Sequence, residues 1–194
     1  ARLIAKALNC QKNQDNNIKC SKEKFCPTCV EIIGSNHIDI LEMDAASKTG
    51  IDDIRELIES SKYSPTSANY KIFIIDEVHM LSKQAFNGLL KTLEEPPPSL
   101  KFILATTEVR KIPVTILSRC QRFDLKRVSI EELSKHLKDI SVKENGKISD
   151  EAIKLISRTS EGSVRDAISL LDRALISHSL NDNKIDEAHV REML

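Results

Sequence analysis

The amino-acid sequence predicts an α/β domain, built on a parallel β-sheet flanked by helices, and a small all-helical domain after it. Two apolar stretches predict the sheet, residues 72–77 and 100–107, and each of them ends in polar side chains. An unbroken β-branched and aromatic run without Gly or Pro is typical of a strand that is buried on both faces of a parallel sheet. Further along the chain only amphipathic helical patterns remain, so we place the two domains at residues 1–127 and 128–194.

The composition of the 194 residues excludes several classes of protein. The 29 Lys and Arg residues equal the 29 Asp and Glu residues, so nucleic acid would have to bind a local patch or an assembly rather than a basic field. No apolar run approaches the roughly 18 residues of a membrane span, and no secretory signal is visible, so we expect a cytoplasmic location. The chain has no initiating Met and opens inside a helical pattern, from which we expect that its N-terminus has been cut away.

Residues 1–9 predict an amphipathic helix, because apolar side chains recur at helical spacing with basic side chains between them. We expect the helix to bury its apolar face, which consists of Leu3, Ile4, Ala7 and Leu8.

Four of the five cysteines lie in the next segment, residues 10–29, in the pattern C-x9-C-x5-C-x2-C. Four thiolates can enclose a tetrahedral structural Zn²⁺ ion, and the closing C-x2-C is a spacing typical of metal knuckles. The residues between them are polar, so the segment has little core of its own and a metal would stabilise it. Two disulfides and four unbonded thiols remain alternatives, although no secretory context favours disulfides. The predicted ligands are Cys10, Cys20, Cys26 and Cys29.

Weaker sequence signals predict the other helices and strands of the first domain. The fifth cysteine, Cys120, is expected to be a small buried residue rather than a reactive one. The predicted elements are a short helix at 30–34 closed by Gly34, a strand at 38–43, a helix at 51–61 opened by a capping-box-like Thr49 and Asp52, a helix capped by Ser82 that ends at the prolines 96–98, and a short strand at 122–125.

The first apolar stretch ends in two adjacent acids, Asp76 and Glu77. Ligands bind beyond the carboxyl ends of parallel strands, and successive strand residues point to opposite faces, so the two acids should have different roles. One can hold Mg²⁺ through water and the other can orient a nucleophilic water, which is the division that phosphoryl transfer from ATP requires. At the same sheet edge, Thr106 or Thr107 could sense a γ-phosphate or hold that water. An acidic strand end and a strand-end threonine without function are the structural alternatives.

Cationic side chains provide further candidates. Arg119 can pair with an acid of its own chain, or reach a phosphate across a subunit boundary as an arginine finger. Arg165 lies in the first turn of a predicted helix, where a cation opposes the helix dipole, so an aspartate or a nucleotide phosphate should compensate it. The small, basic loop that contains Lys48 and Thr49 precedes a helix, and such a site favours a phosphate, although an ordinary capped helix explains it as well.

In the second domain, start signals predict four helices. The helix starts are a capping box of Ser129 with Glu132, Ser149, the pair Ser163 and Asp166, and Asp186.

Several motifs together resemble the AAA+ clamp-loader ATPases: DEVHML at 76–81, LLKTLEEPP at 89–97, LATT at 104–107, ILSRC at 116–120 and GSVRDAISLLD at 162–172. Within that family, the four-cysteine insert is similar to that of the gamma/tau subunits of bacterial DNA polymerase III. The resemblance covers essentially the whole chain. It implies an AAA+ P-loop-type fold with a zinc-knuckle insert and an all-helical lid domain.

The resemblance also implies roles for the nucleotide-site residues. Asp76 resembles the Walker B acid that holds Mg²⁺, and Glu77 the residue that polarises the hydrolytic water. Thr107 resembles sensor 1, Arg119 the arginine finger that acts on a neighbour's ATP, and Arg165 sensor 2 in the lid. The four cysteines are implied as the zinc ligands, and Lys48 and Thr49 as contacts to DNA phosphates.

By resemblance, the chain is an ATPase subunit of a DNA-directed DNA polymerase holoenzyme, with the cofactors ATP, Mg²⁺ and Zn²⁺. The implied partners are other clamp-loader subunits in a hetero-oligomeric ring, the sliding clamp that the ring opens, and the primed DNA on which it loads the clamp.

One departure from the family is large. The sequence contains no G-x-x-x-x-G-K-[ST] P-loop, so we expect that it starts just beyond the P-loop and its strand, lacks the C-terminal collar and binds ATP poorly by itself. Two alternative functions remain. Residues 76–79 also match a DExH helicase box, and the missing P-loop would suit a zinc-stabilised scaffold that hydrolyses nothing.

Overall fold

The structure is a computed structural model that describes residues 1–13, 20–21, 24–48, 50–178 and 185–194. The chain divides into two compact units, residues 1–122 and 123–194. The boundary that we predict after residue 127 lies a few residues further along, and the structure groups residues 123–127 with the helices of the second unit. Among the described residues, no helix combines the length and the apolarity that crossing a bilayer requires.

The first unit consists of a parallel sheet and five α-helices within the described residues. Its elements are α1 (Arg2–Asn9), α2 (Pro27–Ile33), β1 (Ile40–Asp44), α3 (Ile51–Ser61), β2 (Lys71–Asp76), α4 (Lys83–Glu94), β3 (Leu100–Leu104) and α5 (Val114–Leu117). Short 3₁₀ turns lie at Gln11–Asn13, Val78–Met80 and Val109–Lys111.

The central strand of the sheet is β2, since the strand order is β1-β2-β3 and both pairings are parallel. Its four apolar residues are at most 1% exposed, which confirms the prediction of a strand buried on both faces. Phe73 and Ile75 pack in the cluster that contains side chains of α3 and α4, whereas Ile72 and Ile74 pack with Ala5 of α1 and with α2. Helices therefore cover both faces of the sheet, as the sequence predicts.

The buried face of α1 differs from the prediction. Leu3 and Ile4 are 80% and 53% exposed, whereas Ala5 and Asn9 are buried. The Asn9 side chain donates to the carbonyl of Tyr70 and accepts from its amide, both at 2.9 Å. These two hydrogen bonds, together with the small Ala5 that allows close approach to the sheet, explain why α1 is rotated away from its most apolar face.

Two further predictions of secondary structure are wrong: one predicted strand is not formed, and one helix starts at a different residue. The segment 122–125 is not a strand: Phe123 is 72% and Leu125 is 95% exposed, and within the described part of the chain no strand lies beside them to complete a ladder. Helix α2 starts earlier than predicted because Pro27 occupies its first turn, where a missing N–H has no cost. Gly34 does follow the helix, but with φ −75°, and Ser35 adopts the left-handed conformation instead.

Helix starts account for most of the correct boundaries. Ser82 accepts a hydrogen bond from the amide of Ala85 and begins α4 as predicted. Helix α3 spans the predicted residues, and its N-cap is Gly50, without a side-chain cap. Thr49 lies outside the described residues.

The second unit contains α6 (Ile130–Lys143), α7 (Asp150–Thr159), α8 (Val164–His178) and α9 (Glu187–Met193). Ser129 and Glu132 form the predicted capping box, and Ser149 and Asp186 cap α7 and α9 through their side chains. Apolar side chains from all four helices meet in one core: Leu133, Leu137, Ile153, Ile156, Leu171 and Val190.

Gly162, directly before α8, is the position where we expect a small substitution to be costly. It adopts φ +80°, and a Cβ atom there would lie 2.7 Å from the carbonyl oxygen of Val128. Gly162→Ala should therefore destabilise the helical unit by roughly 1–3 kcal/mol in urea unfolding. Gly34→Ala is the matched control, because its φ is −75° and its added Cβ would meet only ordinary contacts. Equal stability of the two variants would contradict this explanation.

Candidate functional site

The two acids at the end of β2 occupy different backbone environments. Asp76 is the last residue of the strand, and Glu77 follows it with φ 47° and ψ 41°, in the left-handed region. This corrects the prediction that both are strand residues on opposite faces. A non-glycine residue in this conformation costs about 1–2 kcal/mol, and such outliers concentrate at functional sites.

Backbone hydrogen bonds hold the turn at Glu77. Its amide donates to Asp76 Oδ1 at 3.0 Å, and its carbonyl accepts from the amide of Met80 at 2.8 Å. The next amide, of Val78, donates to the carbonyl of Ala105 at 2.9 Å, which ties the turn to the end of β3. Asp76 Oδ2 keeps no hydrogen-bond partner among the described residues, so one oxygen of this exposed carboxylate can bind a ligand.

The structure distinguishes between the two threonines that follow β3. Thr107 Oγ1 donates to Glu77 Oε2 at 3.1 Å, whereas Thr106 Oγ1 lies 2.9 Å from His79 Nδ1. Thr107 therefore contacts the carboxylate that the sequence assigns to water activation, and Thr106 supports a neighbouring ring.

Sequence reasoning missed His79 as a site residue and treated it only as the last letter of a helicase box. Its side chain is 7% exposed, with Nδ1 3.3 Å from Glu77 Oε2 and Nε2 3.7 Å from Glu108 Oε1. Glu108 in turn accepts from Lys111 Nζ at 2.8 Å, and this hydrogen bond lowers the pKa of the Glu108 carboxyl. The only available signal was the position of His79, two residues after Glu77 in the turn.

A third acid, Asp44, also lies at this sheet edge and was missed. It pairs in register with Asp76, and its Oδ1 accepts from the amide of Ala46 at 2.8 Å. Lys48 is exposed a few residues further on, and its amide donates to the Asp44 carbonyl at 3.0 Å. Thr49, its predicted partner in binding phosphate, lies outside the described residues.

The two candidate arginines lie in different units. Arg119 Nη2 lies 2.5 Å from Glu94 Oε1, and Nη1 donates to the carbonyl of Thr115 at 2.5 Å, so the intrachain ion pair is present. Arg165 is exposed in the first turn of α8, in the other unit. Among the described residues no ion pair joins it to Asp166 or Asp172, and its compensation by a nucleotide phosphate stays a prediction.

The four clustered cysteines converge on one point: their Sγ atoms all lie within 4.8 Å of one another. All are free thiols, and the Sγ atoms of Cys20 and Cys29 are 3.7 Å apart, far longer than the ~2.05 Å of a disulfide. Zinc–sulfur bonds of ~2.3 Å in a tetrahedron place neighbouring sulfurs about 3.8 Å apart. The donor set therefore fits a tetrahedral metal ion.

The thiols of the cluster have shifted pKa values. Burial raises the pKa of the Cys26 thiol, but hydrogen bonds from the amides of Cys29 and Gln11 outweigh burial and lower it to about 7. Burial, followed by hydrogen bonds with the neighbouring thiols, raises the pKa of Cys29, and burial also raises that of Cys10. Outside the cluster, burial raises the pKa of Cys120, which agrees with an unreactive thiol.

Two family models match the chain. Residues 1–129 match the family described as "DNA polymerase III, delta subunit". Residues 132–179 match the family described as "DNA polymerase III clamp loader subunit, ATPase lid domain".

Curated relatives match over the full length of the chain. DNA polymerase III subunit gamma of Buchnera aphidicola subsp. Baizongia pistaciae is 46% identical over 194 residues, and subunit tau of Escherichia coli is 44% identical over 194 residues. Subunit tau of Bacillus subtilis is 44% identical over 188 residues, or 97% of the chain. The chain spans 50%, 29% and 32% of these three relatives.

Among solved structures, the RuvB Holliday junction branch migration motor of Thermotoga maritima superposes with a TM-score of 0.67. The match covers 84% of this chain and 54% of the RuvB chain at 19% identity, so it supports the AAA+ fold and nothing further.

Proposed function

The chain belongs to the family of DNA polymerase III clamp-loader subunits, and from this membership we propose that it is an ATP-hydrolysing subunit of the replicative clamp loader. The observation that carries the proposal is the turn after β2, where Glu77 has a left-handed backbone and accepts a hydrogen bond from Thr107 beside Asp76. The turn gives the two carboxylates different surroundings, and ATP hydrolysis requires that one carboxylate hold a metal and the other orient a water.

The residues of the chain would divide the work as follows. Asp76 would hold Mg²⁺ with the oxygen that the Glu77 amide leaves free, and the ion would supply charge neutralisation for the phosphates. Glu77 orients and polarises the attacking water, and Thr107, which contacts the same carboxylate, links its position to the end of β3 as sensor 1.

Two arginines have further proposed roles at nucleotides. Arg119 acts in trans on the ATP of a neighbouring subunit, and its pair with Glu94 keeps the guanidinium ordered until that phosphate replaces the carboxylate. Arg165, which has no partner among the described residues, contacts the nucleotide from the lid as sensor 2. We keep residues 1–127 as the nucleotide-handling domain and 128–194 as the lid.

The proposed assembly is a hetero-oligomeric ring of clamp-loader subunits that opens the sliding clamp and places it on primed DNA. Lys48 and Thr49 contribute contacts to DNA phosphates from the loop before α3. These 194 residues by themselves bind ATP weakly, since no phosphate-cradling G-x-x-x-x-G-K-[ST] motif occurs among them.

We propose that the four clustered cysteines hold a structural Zn²⁺ ion. The sulfur separations support tetrahedral binding, and four protein ligands leave no position open for a catalytic water. Free thiolates also require a reducing compartment, which supports a cytoplasmic location.

The helicase alternative has no support: the matching families are DNA polymerase III subunits, and residues 123–194 form helices and one isolated bridge in the part that the structure describes. The scaffold alternative differs from the proposed ATPase function because it predicts that the protein hydrolyses no ATP.

Glu77→Gln in the full-length subunit, assembled with its partners, should lower ATP hydrolysis by about a hundredfold or more and leave ATP affinity unchanged, because an amide cannot polarise the water. Steady-state hydrolysis and equilibrium nucleotide binding measure the two effects. Glu144→Gln is the control, since Glu144 is exposed after α6. If the full-length subunit shows no nucleotide-dependent stabilisation, the scaffold alternative is correct.

Arg119→Ala should leave binding at its own site intact and lower hydrolysis at the adjacent subunit by on the order of a thousandfold, the usual contribution of an arginine finger. Single-turnover hydrolysis in mixed assemblies measures this effect, with the exposed Arg110→Ala as control. A lower melting temperature with normal hydrolysis would instead assign Arg119 to a structural ion pair with Glu94.

Metal analysis of the purified protein should give about one zinc per chain, and Cys26→Ser should abolish it. Cys120→Ser is the matched control, because Cys120 is a free thiol outside the cluster. Retention should fall on acidification, since protons compete with the metal for the thiolates. Full occupancy in Cys26→Ser, or zinc absent from the reduced wild-type protein, would contradict the assignment.

A further inference from the structure

A nearly buried histidine lies beside the proposed catalytic carboxylate and has contacts on both sides of its ring. His79 Nδ1 lies 2.9 Å from Thr106 Oγ1 and 3.3 Å from Glu77 Oε2, and its Nε2 lies 3.7 Å from Glu108 Oε1. The side chain is 7% exposed, whereas that of Glu77 is 36% exposed. The ring is thus nearly buried, and the carboxylate beside it is partly exposed.

Thr106 is itself held in place, which makes it a rigid support for the ring. Its Oγ1 accepts from the amide of Glu108 at 3.0 Å and still has a lone pair for the imidazole. The 3₁₀ turn Val78–Met80 begins directly after Glu77 and carries His79, so the ring and the carboxylate belong to one turn. With a hydrogen on Nδ1, the ring can donate to Thr106 Oγ1, and the same edge of the ring lies 3.3 Å from Glu77 Oε2.

From this geometry we infer that His79 is a positioning residue for the ATPase reaction: its Nδ1 edge, braced by Thr106, holds the Glu77 carboxylate in its water-orienting direction. The inference rests on the proposed function. His79 and Thr107 both contact Oε2, which leaves Oε1 available for the attacking water. Without the ring, Thr107 is the one side chain among the described residues that still contacts the Glu77 carboxylate, so the carboxylate should spend less time in the productive direction.

The two ends of the ring can be tested separately. The side-chain amide of Asn can occupy the position of Nδ1 of a histidine, so His79→Asn keeps the contact toward Glu77. The side-chain amide of Gln can occupy the position of Nε2, so His79→Gln keeps only the contact toward Glu108. In the full-length subunit within its assembly, His79→Ala and His79→Gln should lower kcat by about tenfold to a hundredfold with KM for ATP unchanged. His79→Asn should retain most of the activity. His136→Asn is the matched control, because His136 is exposed on α6.

A second measurement does not depend on turnover. In the full-length subunit labelled with ¹⁵N-histidine, the His79 ring should carry its hydrogen on Nδ1, and Glu77→Gln should shift the Nδ1 resonance but not that of His136. An unresponsive Nδ1 resonance, or equal kcat values for His79→Asn and His79→Gln, would overturn the inference. A wild-type assembly that hydrolyses no ATP would instead overturn the proposed function, so the two failures are distinguishable.

Discussion

The whole first unit depends on the burial of both faces of β2. Alternate residues of this strand pack in two different clusters, Phe73 and Ile75 with α3 and α4, and Ile72 and Ile74 with α1 and α2. A shift of one residue would exchange the two sets of side chains between faces that are both closed, so the register is strongly specified. The position of Asp76 at the sheet edge is therefore set by apolar packing several residues away, and no polar interaction is needed to place it.

The turn after β2 then brings the side chain of Glu77 together with residues that follow β3 and with His79. If Glu77 continued the strand, its side chain would point away from the face that Asp76 uses; the left-handed backbone instead brings the carboxylate to Thr107 and His79. The conformation costs about 1–2 kcal/mol and persists because its amide and carbonyl are both bonded. The strained backbone of Glu77 is thus stabilised by strand β2 on one side and by the end of β3 on the other.

Features that depend on residues close together in the sequence could be predicted from it, whereas features that depend on tertiary contacts could not. The core strand, the capping residues Ser82, Ser129 and Ser149, and the cysteine cluster are encoded by local pattern and spacing, and the structure contains them. The rotation of α1 was mispredicted because a tertiary pair of hydrogen bonds, from Asn9 to the backbone of Tyr70, overrides its apolar periodicity. The contacts of His79 depend on the turn at Glu77, and no periodicity encodes such a turn.

The candidate residues also differ in whether the groups that they are proposed to contact belong to this chain or to a neighbouring subunit. The cysteines and the acidic turn find their neighbours within one unit, so their geometry is already formed. Arg119 has a partner of a different kind: its pair with Glu94 joins groups whose side chains are 33% and 48% exposed, and pairs of this exposure contribute only ~0–1 kcal/mol. A phosphate that carries more charge can replace such a carboxylate at little cost, whereas a buried ion pair would resist exchange. The weakness of the Arg119–Glu94 pair is therefore compatible with a finger that is ordered before assembly and transferred to a neighbour's nucleotide on assembly.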